Sequence, residues 1–478
     1  LGRILSTVAP TVGQALVWTG SAWEPTTVGG GGETDHGALT GLADDDHGQY
    51  VLADGVRNTT NGFAVTGTHG TGTIPLSGAG SRLMWYPAKS AFRAGSDSGG
   101  DWDDANIGSY SAAWGHGTRA YGGYSTAMGY GTQANGVYSM AVGSGSQAIG
   151  DYSTALGNNT VASGGSSTAM GAGTVAGGNQ STAMGWNTTA SNHRSTAMGE
   201  ESQATGQRST AMGYQTLAQG VNSTAMGYQT KATAINSTAM GATSTASGGA
   251  STAMGGGTLA SGVTATAMGG DTEASGNHST AMGRGTMASG YYSMATGDRT
   301  EASGHNSTAM GHQTTASGHW STAIGYFTTA SGDFSVAVGS DASTDGRVGA
   351  FVYGDHSNSS NVLSPSPNSF TVRASGGVYL YTSPLLSSGV KVNPYESSWT
   401  TLSDRNVKEN FQDEDGEGLL QAIASMPIQT WNYKAQDPSV RHMGPMAQDF
   451  YAAFGLGQDD KHINTCLLYT SDAADDLA

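Results

Sequence analysis

One fourteen-residue phrase recurs through residues 111–339 without an insertion or deletion. Residues 181–194 read Ser-Thr-Ala-Met-Gly-Trp-Asn-Thr-Thr-Ala-Ser-Asn-His-Arg, and the next copy begins at Ser195. The glycine that closes Ser-Thr-Ala-Met-Gly falls at Gly115, Gly129, Gly143 and every fourteenth residue to Gly339, seventeen in all. A fixed period of this size marks a solenoid, in which each copy is one coil that buries its faces only against its neighbours.

The columns of the repeat set the direction of each side chain. Two residues before the marker glycine stands alanine in every copy, from Ala113 to Ala337, and five after it alanine again, from Ala120 to Ala330. The position three after the glycine is always Thr or Ser, as at Thr118, Thr132 and Ser146. Neighbours on a strand point to opposite faces, so Ser125, Ala127 and Gly129 share one side of a first short strand. Thr132 and Ala134 share one side of a second. These sides form the interior of a coil too thin for anything but small residues. The fold class is therefore all-β, a parallel β-roll solenoid of fourteen-residue coils.

The other side of the first strand faces outward but is not polar. One of its columns runs Thr126, Met140, Thr154 and Thr168; the other runs Trp114, Met128, Val142, Leu156, then Met170, Met184, Met198, Met212, Met226, Met240, Met254, Met268, Met282, Thr296, Met310, Ile324 and Val338. Neither column contains a charge in any of the seventeen copies. The outward column of the second strand, with Arg119, Lys231, Glu273 and Glu301, does and can face water. Burying a methionine contributes roughly 1.5–3 kcal/mol, and a continuous apolar stripe marks an interaction surface. A methionine core inside one chain is the alternative, but the alanine columns already occupy the interior. The expectation is that the methionine faces of three copies meet along a common axis.

The phrase Ser-Thr-Ala-Met-Gly-x-x-Thr-x-Ala-Ser-Gly resembles the head repeat of trimeric autotransporter adhesins, which also occurs in phage tail fibres. The resemblance implies a left-handed β-roll in a homotrimer, a handedness opposite to that of ordinary parallel crossovers. At about 4.8 Å per coil the array would be a rod roughly 75–80 Å long.

Composition narrows the function classes. Of 478 residues, 75 are glycine and only 12% are charged, the profile of a repetitive β-structure rather than of a compact enzyme. Nineteen basic residues against thirty-six acidic ones give a net charge of −17, which argues against nucleic acid and anionic membranes as partners. No apolar run reaches the length of a membrane span, so no membrane insertion is expected. No β-barrel anchor pattern follows the repeats. The chain starts at Leu1 and shows no signal peptide, which reads as an incomplete N-terminus. The single cysteine, Cys466, lies in a peptide whose back-translation is similar to a sequencing-library adapter, so residues 466–478 are read as an artefact.

Residues 1–34 read as a leading tail-fibre segment, with a short hairpin over 13–25 and a glycine linker at 29–32. Residues 35–80 form a linker or collar, whose 35–50 stretch resembles one common in phage tail fibres. That stretch places two histidines among four aspartates, which could hold a metal across three chains, but a capped turn with solvated acids is preferred and no metal or cofactor is expected. Residues 81–110 form a cap, because a solenoid's first coil leaves edges and core open. The apolar 82–93 segment is the plug, and Trp102 and Trp114 are assigned to the same end. Within the 111–340 roll, aromatics gather at the turns, with Tyr130, Trp186, Tyr214, Tyr228 and Tyr326 after the marker glycine. Of these, Trp186, Tyr214, Tyr228 and Tyr326 are candidate glycan contacts, although bracing adjacent coils is the plainer role.

Other solenoid functions fail by column. Calcium-binding rolls use a nine-residue period with a recurring aspartate. Ice binders would present paired threonines outward, whereas Thr126 shares its face with Met128. Glycan cleavage needs converging carboxylates, and only Glu273 and Glu301, two coils apart, approach that.

Residues 341–402 read as a second cap and a connector, with a hairpin over 370–381 turning on Gly376 and Gly377. Residues 403–465 hold the one arrangement that resembles chemistry. Ser403 and Lys408 could form a pair in which the amine takes the hydroxyl proton and the oxygen attacks a carbonyl. A helix over 415–426, a strand over 428–433 and a helical face of Ala447, Phe450, Tyr451 and Phe454 follow. Ser403-Asp404, Lys408-Glu409-Asn410, Trp431-Asn432-Tyr433 and the run from Arg441 through Gly444 and Pro445 to Asp449 resemble the endosialidase-type intramolecular chaperone of phage tail spikes. The resemblance implies a domain that holds three chains in register and then removes itself. On this sequence the scissile bond would join Leu402 to Ser403, with Ser403 as nucleophile and Lys408 as base. Members of that family continue into a trimerising helix, and here the sequence ceases to be credible at Thr465.

The expected function is a homotrimeric shaft, a phage tail fibre or adhesin that recognises a cell-surface glycan or protein and is carried on the virion or at a cell surface. The rival readings are a bacterial adhesin with its anchor encoded further on, and a single-turnover protease for which the shaft is only cargo.

Overall fold

The computed structural model describes residues 14–18, 23–27, 65–401 and 404–463. The 35–50 stretch, the Leu402–Ser403 bond and residues 466–478 lie outside the described residues. The chain divides into two units, residues 1–66 and 67–478. In the first, Gln14–Trp18 pairs antiparallel with Trp23–Thr27, and Trp18 stands opposite Trp23. These are the strands of the hairpin expected there.

The second unit is built on a parallel solenoid. In each coil a five-residue strand such as Thr126–Tyr130 is followed by a two-residue strand such as Gln133–Ala134. Each lies parallel to its equivalent in the next coil, so that Ala127 pairs with Ala141 and Ala134 with Ala148. Every strand residue therefore faces the residue fourteen positions on, and the backbone ladder runs up the stack through bonds such as Thr126 N to Ser139 O and Met140 N to Ser153 O, both 2.9 Å. Both alanine columns are buried from Ala113 to Ala337. The Ser and Thr columns, as at Ser125 and Thr132, are buried with them. With so little side-chain volume available, the core is a thin seam of methyls and hydroxyls.

The marker glycine departs from the expected interior position. Its φ is positive throughout, +119° at Gly129 and +121° at Gly227, and the residue is partly exposed. The strand kinks there, which breaks the strict alternation of faces assumed for a straight strand. The column is glycine because coil stacks on coil at this point: a Cβ on Gly129 would lie 1.9 Å from the carbonyl oxygen of Gly143.

The stack extends beyond the periodic region at both ends. Gly80–Tyr86 pairs antiparallel with Ala91–Asp97, which lies parallel to the first coil strand, Ala112–His116. Met84, Tyr86, Ala91 and Ile107 form a small buried cluster. Trp102, fully buried, joins the alanine seam and donates from Nε1 to Thr118 O at 2.7 Å. Trp114 does not plug the end. It is 55% exposed because its column is the outward one, in register with Met128. Arg93 does the work assigned to Trp114: it pairs with Ala113 and is fully buried. Its guanidinium donates to Ser111 O, Ser111 Oγ and Ala120 O, carbonyl and hydroxyl oxygens of the first coil. Burial lowers its pKa to about 10, so it stays charged at neutral pH. Truncating Trp102 to alanine should cost about 3–5 kcal/mol, seen as faster amide exchange in the first coils while those beyond Gly227 keep their protection.

At the far end the phase is lost at Gly339, but the stacking is not. Phe351–Gly354 continues the first-strand column, with Val352 in the alanine position, and Phe370–Arg373 lies on it in parallel. The hairpin expected over 370–381 is therefore absent. A turn forms, with Gly377 N donating to Ala374 O, but Val378–Tyr381 pairs antiparallel with Gly389–Val392 instead. Residues 404–463 contain two helices, α1 (Gly416–Ser425) and α2 (Ala447–Phe454), and a two-stranded ribbon of Gln429–Trp431 and His442–Gly444. These elements were all expected over this stretch except the second strand of the ribbon. Asp415 caps α1 by accepting from Glu417 N, and Gly455 ends α2 in the left-handed conformation at φ +62°.

Candidate functional site

The outward stripe is where the sequence placed it. On a single chain Met128, Met170 and Met310 are 38%, 38% and 39% exposed. Met184, Met198, Met212, Met226, Met240, Met254, Met268 and Met282 are half-buried, each shielded by the residues stacked above and below, methionines on both sides except at Met282, whose far neighbour is Thr296. Pairing within the column, as of Met212 with Met226, covers the flanks of each side chain but not its outer face. Trp114 and Ile324 prolong the exposed apolar strip toward the two ends.

The turns carry a second set of ladders. Tyr110, Tyr124, Tyr138 and Tyr152 stack at 4.7, 4.6 and 5.1 Å between ring centroids. The rings after the marker glycine, expected at a turn, instead end the first strand: there Tyr214 stacks on Tyr228 at 5.2 Å, and Tyr326 on His312 at the same distance. Trp186 lies between Ala172 and Glu200 in its column, half exposed. The coil repeat brings these rings to stacking distance, so they brace the rod, and this accounts for at least one face of Tyr214, Tyr228 and Tyr326. A charged ladder lies in the same column, two residues past the stripe and beyond the marker glycine. Arg284 donates to Asp298 through Nε at 2.8 Å and Nη2 at 3.0 Å, and His312 Nδ1 lies 3.0 Å from the same carboxylate. Arg284 chiefly holds the Asp298 carboxyl below its ordinary range.

The C-terminal module has little core of its own. Among the described residues 404–463 only Phe450 is buried. Leu420 and Ile423 of α1, with Tyr433 and Met443, are exposed. Trp431 stacks on His442 at 4.7 Å, and His442 Nε2 lies 2.8 Å from Gln436 Oε1. Arg441 joins the ribbon by donating to Thr430 O and Oγ1. Lys408 follows a single 3-10 turn capped by Asp404 and is exposed on one chain, while its candidate partner Ser403 lies outside the described residues.

Among the described residues no group of three or more His, Cys, Asp or Glu side chains is placed to hold a metal ion. No described helix is long and apolar enough to cross a membrane. Sequence reasoning missed Arg93, because its segment lies out of phase with the repeat. It also missed His356, whose loop has no counterpart in the periodic coils.

Two family models match the chain. The YadA head domain repeat matches eleven times between residues 107 and 342, and the chaperone of endosialidase matches residues 403–455. No curated protein matches the chain. The chain therefore combines a solenoid of YadA head repeats with a chaperone-of-endosialidase domain, an architecture that supports a trimeric fibre or adhesin.

Proposed function

We propose that this chain is the subunit of a homotrimeric tail-fibre shaft that attaches to a cell surface and is assembled by its chaperone domain, which then cuts itself away before Ser403. The observation that carries the reading is the uncharged Thr/Met stripe, which on one chain leaves an apolar strip open to water along seventeen coils. The head repeats imply trimeric self-association, and three such stripes closing on one axis would remove that strip from water. The eleven methionines from Met128 to Met310 are its contact residues. Trp186, Tyr228 and Tyr326 are exposed at the ends of their strands and Tyr214 is half-buried at the end of its own, and these four are the candidate receptor contacts.

The chaperone supplies what the shaft lacks. Parallel coils pair strands non-locally, so they form slowly and expose edges meanwhile. A module whose apolar residues are open on one chain is suited to hold three chains together during that interval. Removing it afterwards leaves a trimer that is kinetically hard to unfold. In this scheme Lys408 accepts the Ser403 hydroxyl proton, Ser403 Oγ attacks the Leu402 carbonyl, and the amine of Ser403 leaves with that proton. Water then hydrolyses the ester so formed between the Leu402 carbonyl and Ser403 Oγ, leaving the Leu402 carboxylate and restoring the Ser403 hydroxyl, and the released fragment begins at Ser403. Intact-mass measurement of a protein carrying a complete chaperone domain tests this. Wild type should yield a product ending at Leu402, and Ser403→Ala should stay uncut while still forming trimers. A protein that remains whole in wild type would remove self-cleavage from the account.

A further inference from the structure

Between the last parallel strand of the stack, Phe370–Arg373, and the bond before Ser403 lies a three-stranded antiparallel sheet, separate from the two sheets of the rod. Its strands are Val378–Tyr381, Gly389–Val392 and Thr400–Thr401. The register sorts their side chains by polarity. Val378 stands opposite Val392, and Leu380 opposite Val390, which in turn faces Thr401. Successive residues on a strand point to opposite sides, so these five share one face. Tyr379, Tyr381, Lys391 and Thr400 share the other.

On a single chain the first face is open. Leu380 is 53% exposed, and no residue from 371 to 401 is buried. Leu385 and Leu386, at the tip between the first two strands, are exposed as well, on a loop pinned by Thr382 N donating to Ser388 O at 2.8 Å. Leu386 has a φ of +56°, a conformation that a solvated turn gives to glycine or asparagine. A small sheet needs a packed apolar face to hold together, and among the described residues of its own chain this one has none.

Three features identify what covers it. The stripe runs on past the periodic coils through Val338, Tyr353 and Val372 in one column, and residues 373–377 are all that separate Val372 from Val378. The companion column turns wholly apolar on the way, from Thr322 to Val336, Phe351 and Phe370. Charge is nearly as scarce here as on the stripe: residues 374–401 hold only Lys391 and Glu396, which leaves a charged partner little to pair with. The sheet also precedes Leu402. Under the proposed cut it stays on the rod, and a face that only the chaperone covered would then be bared to water.

We infer that the face of Val378, Leu380, Val390 and Val392 packs against the same face of the two sister chains, a clamp that keeps the trimer closed at this end once the chaperone has gone. The inference rests on the proposed trimer and cut, and adds a contact that no head repeat supplies.

The test uses the chain with a complete chaperone domain as wild type, Leu380→Asp and Lys391→Glu, the last altering the opposite face. Particle mass is read by sedimentation, trimer lifetime in guanidinium by light scattering, and cover over residues 378–392 by amide exchange. Wild-type trimers should protect those amides before and after cutting. Leu380→Asp should lose that protection and shorten the lifetime of the cut trimer about tenfold or more, while Lys391→Glu should change neither. Wild-type trimers whose 378–392 amides exchange as in the denatured chain overturn the inference without recourse to a variant, and so does a Leu380→Asp trimer that lasts as long as wild type. Protection that is present in uncut Ser403→Ala and vanishes from the cut trimer assigns the face to the chaperone domain and overturns the inference as well. If wild type is never cut, self-cleavage falls and the same two variants decide the inference on the whole particle. A folded wild-type monomer removes the trimer reading and this inference together.

Discussion

Gly227→Ala should collapse the stack at mid-length, lowering stability by about 3–5 kcal/mol, a size reserved for backbone strain or a forced core clash. The added methyl would lie 2.0 Å from the carbonyl oxygen of Gly241, and that oxygen belongs to backbone held on both sides by the ladder. It has nowhere to move. The φ of +121° is in addition one that an alanine rarely adopts. Gly131 is the control, with a positive φ of +62° but nothing within 4 Å of its Cβ. Gly131→Asn should be nearly neutral, because the same turn position holds Asn159 and Asn187 at φ of about +50° in other coils. Thermal unfolding of the two variants separates the cost of stacking from the cost of the dihedral alone. Equal melting temperatures would mean that the marker glycine is there for the turn and not for coil-on-coil contact.

Met226→Glu should dissociate the assembly. One substitution per chain places three carboxylates in one layer of a three-fold interface, where each loses water without gaining a cation; the stripe holds no charge anywhere along its length. Desolvation and mutual repulsion together cost several kcal/mol, against the roughly 1.5–3 kcal/mol that each buried methionine had contributed. Lys231→Glu reverses a charge in the same coil on the outward column of the second strand, where the side chain is exposed. It should leave the oligomer intact. Light scattering on the two variants gives the comparison, and a trimer that survives Met226→Glu would move the interface elsewhere.

How far the sequence could be read depended on how local each signal was. The alanine columns, the outward stripe and the length of the coil follow from a repeat with no gaps, since each position is sampled sixteen or seventeen times. The error at Gly129 came from alternation itself, which holds for a straight strand and fails where φ turns positive. The error at 370–381 came from weighing a local turn at Gly376 above a distant partner. Phe370 pairs with Phe351, nineteen residues earlier, because the stack offers an open edge that a free hairpin does not. Trp114 was drawn toward the cap by its size, although its column already placed it outside with Met128. The loop that carries His356 was not legible, because it interrupts the period on which every other inference rested. The helices of the C-terminal module were legible from spacing and caps, at Asp415 and Gly455.

The central claim is that sister chains cover the methionine stripe. It is tested by mild peroxide oxidation of the native protein, with each methionine read by peptide mass spectrometry and the particle mass fixed by sedimentation. Met128, Met170 and Met310 on the stripe are 38%, 38% and 39% exposed on one chain, and Met287 on the second-strand column is 36% exposed, so a lone chain would oxidise all four alike. A trimer in sedimentation, with Met287 oxidised and the three stripe methionines protected, is the predicted result. A folded monomer whose four methionines react at the same rate would contradict the account.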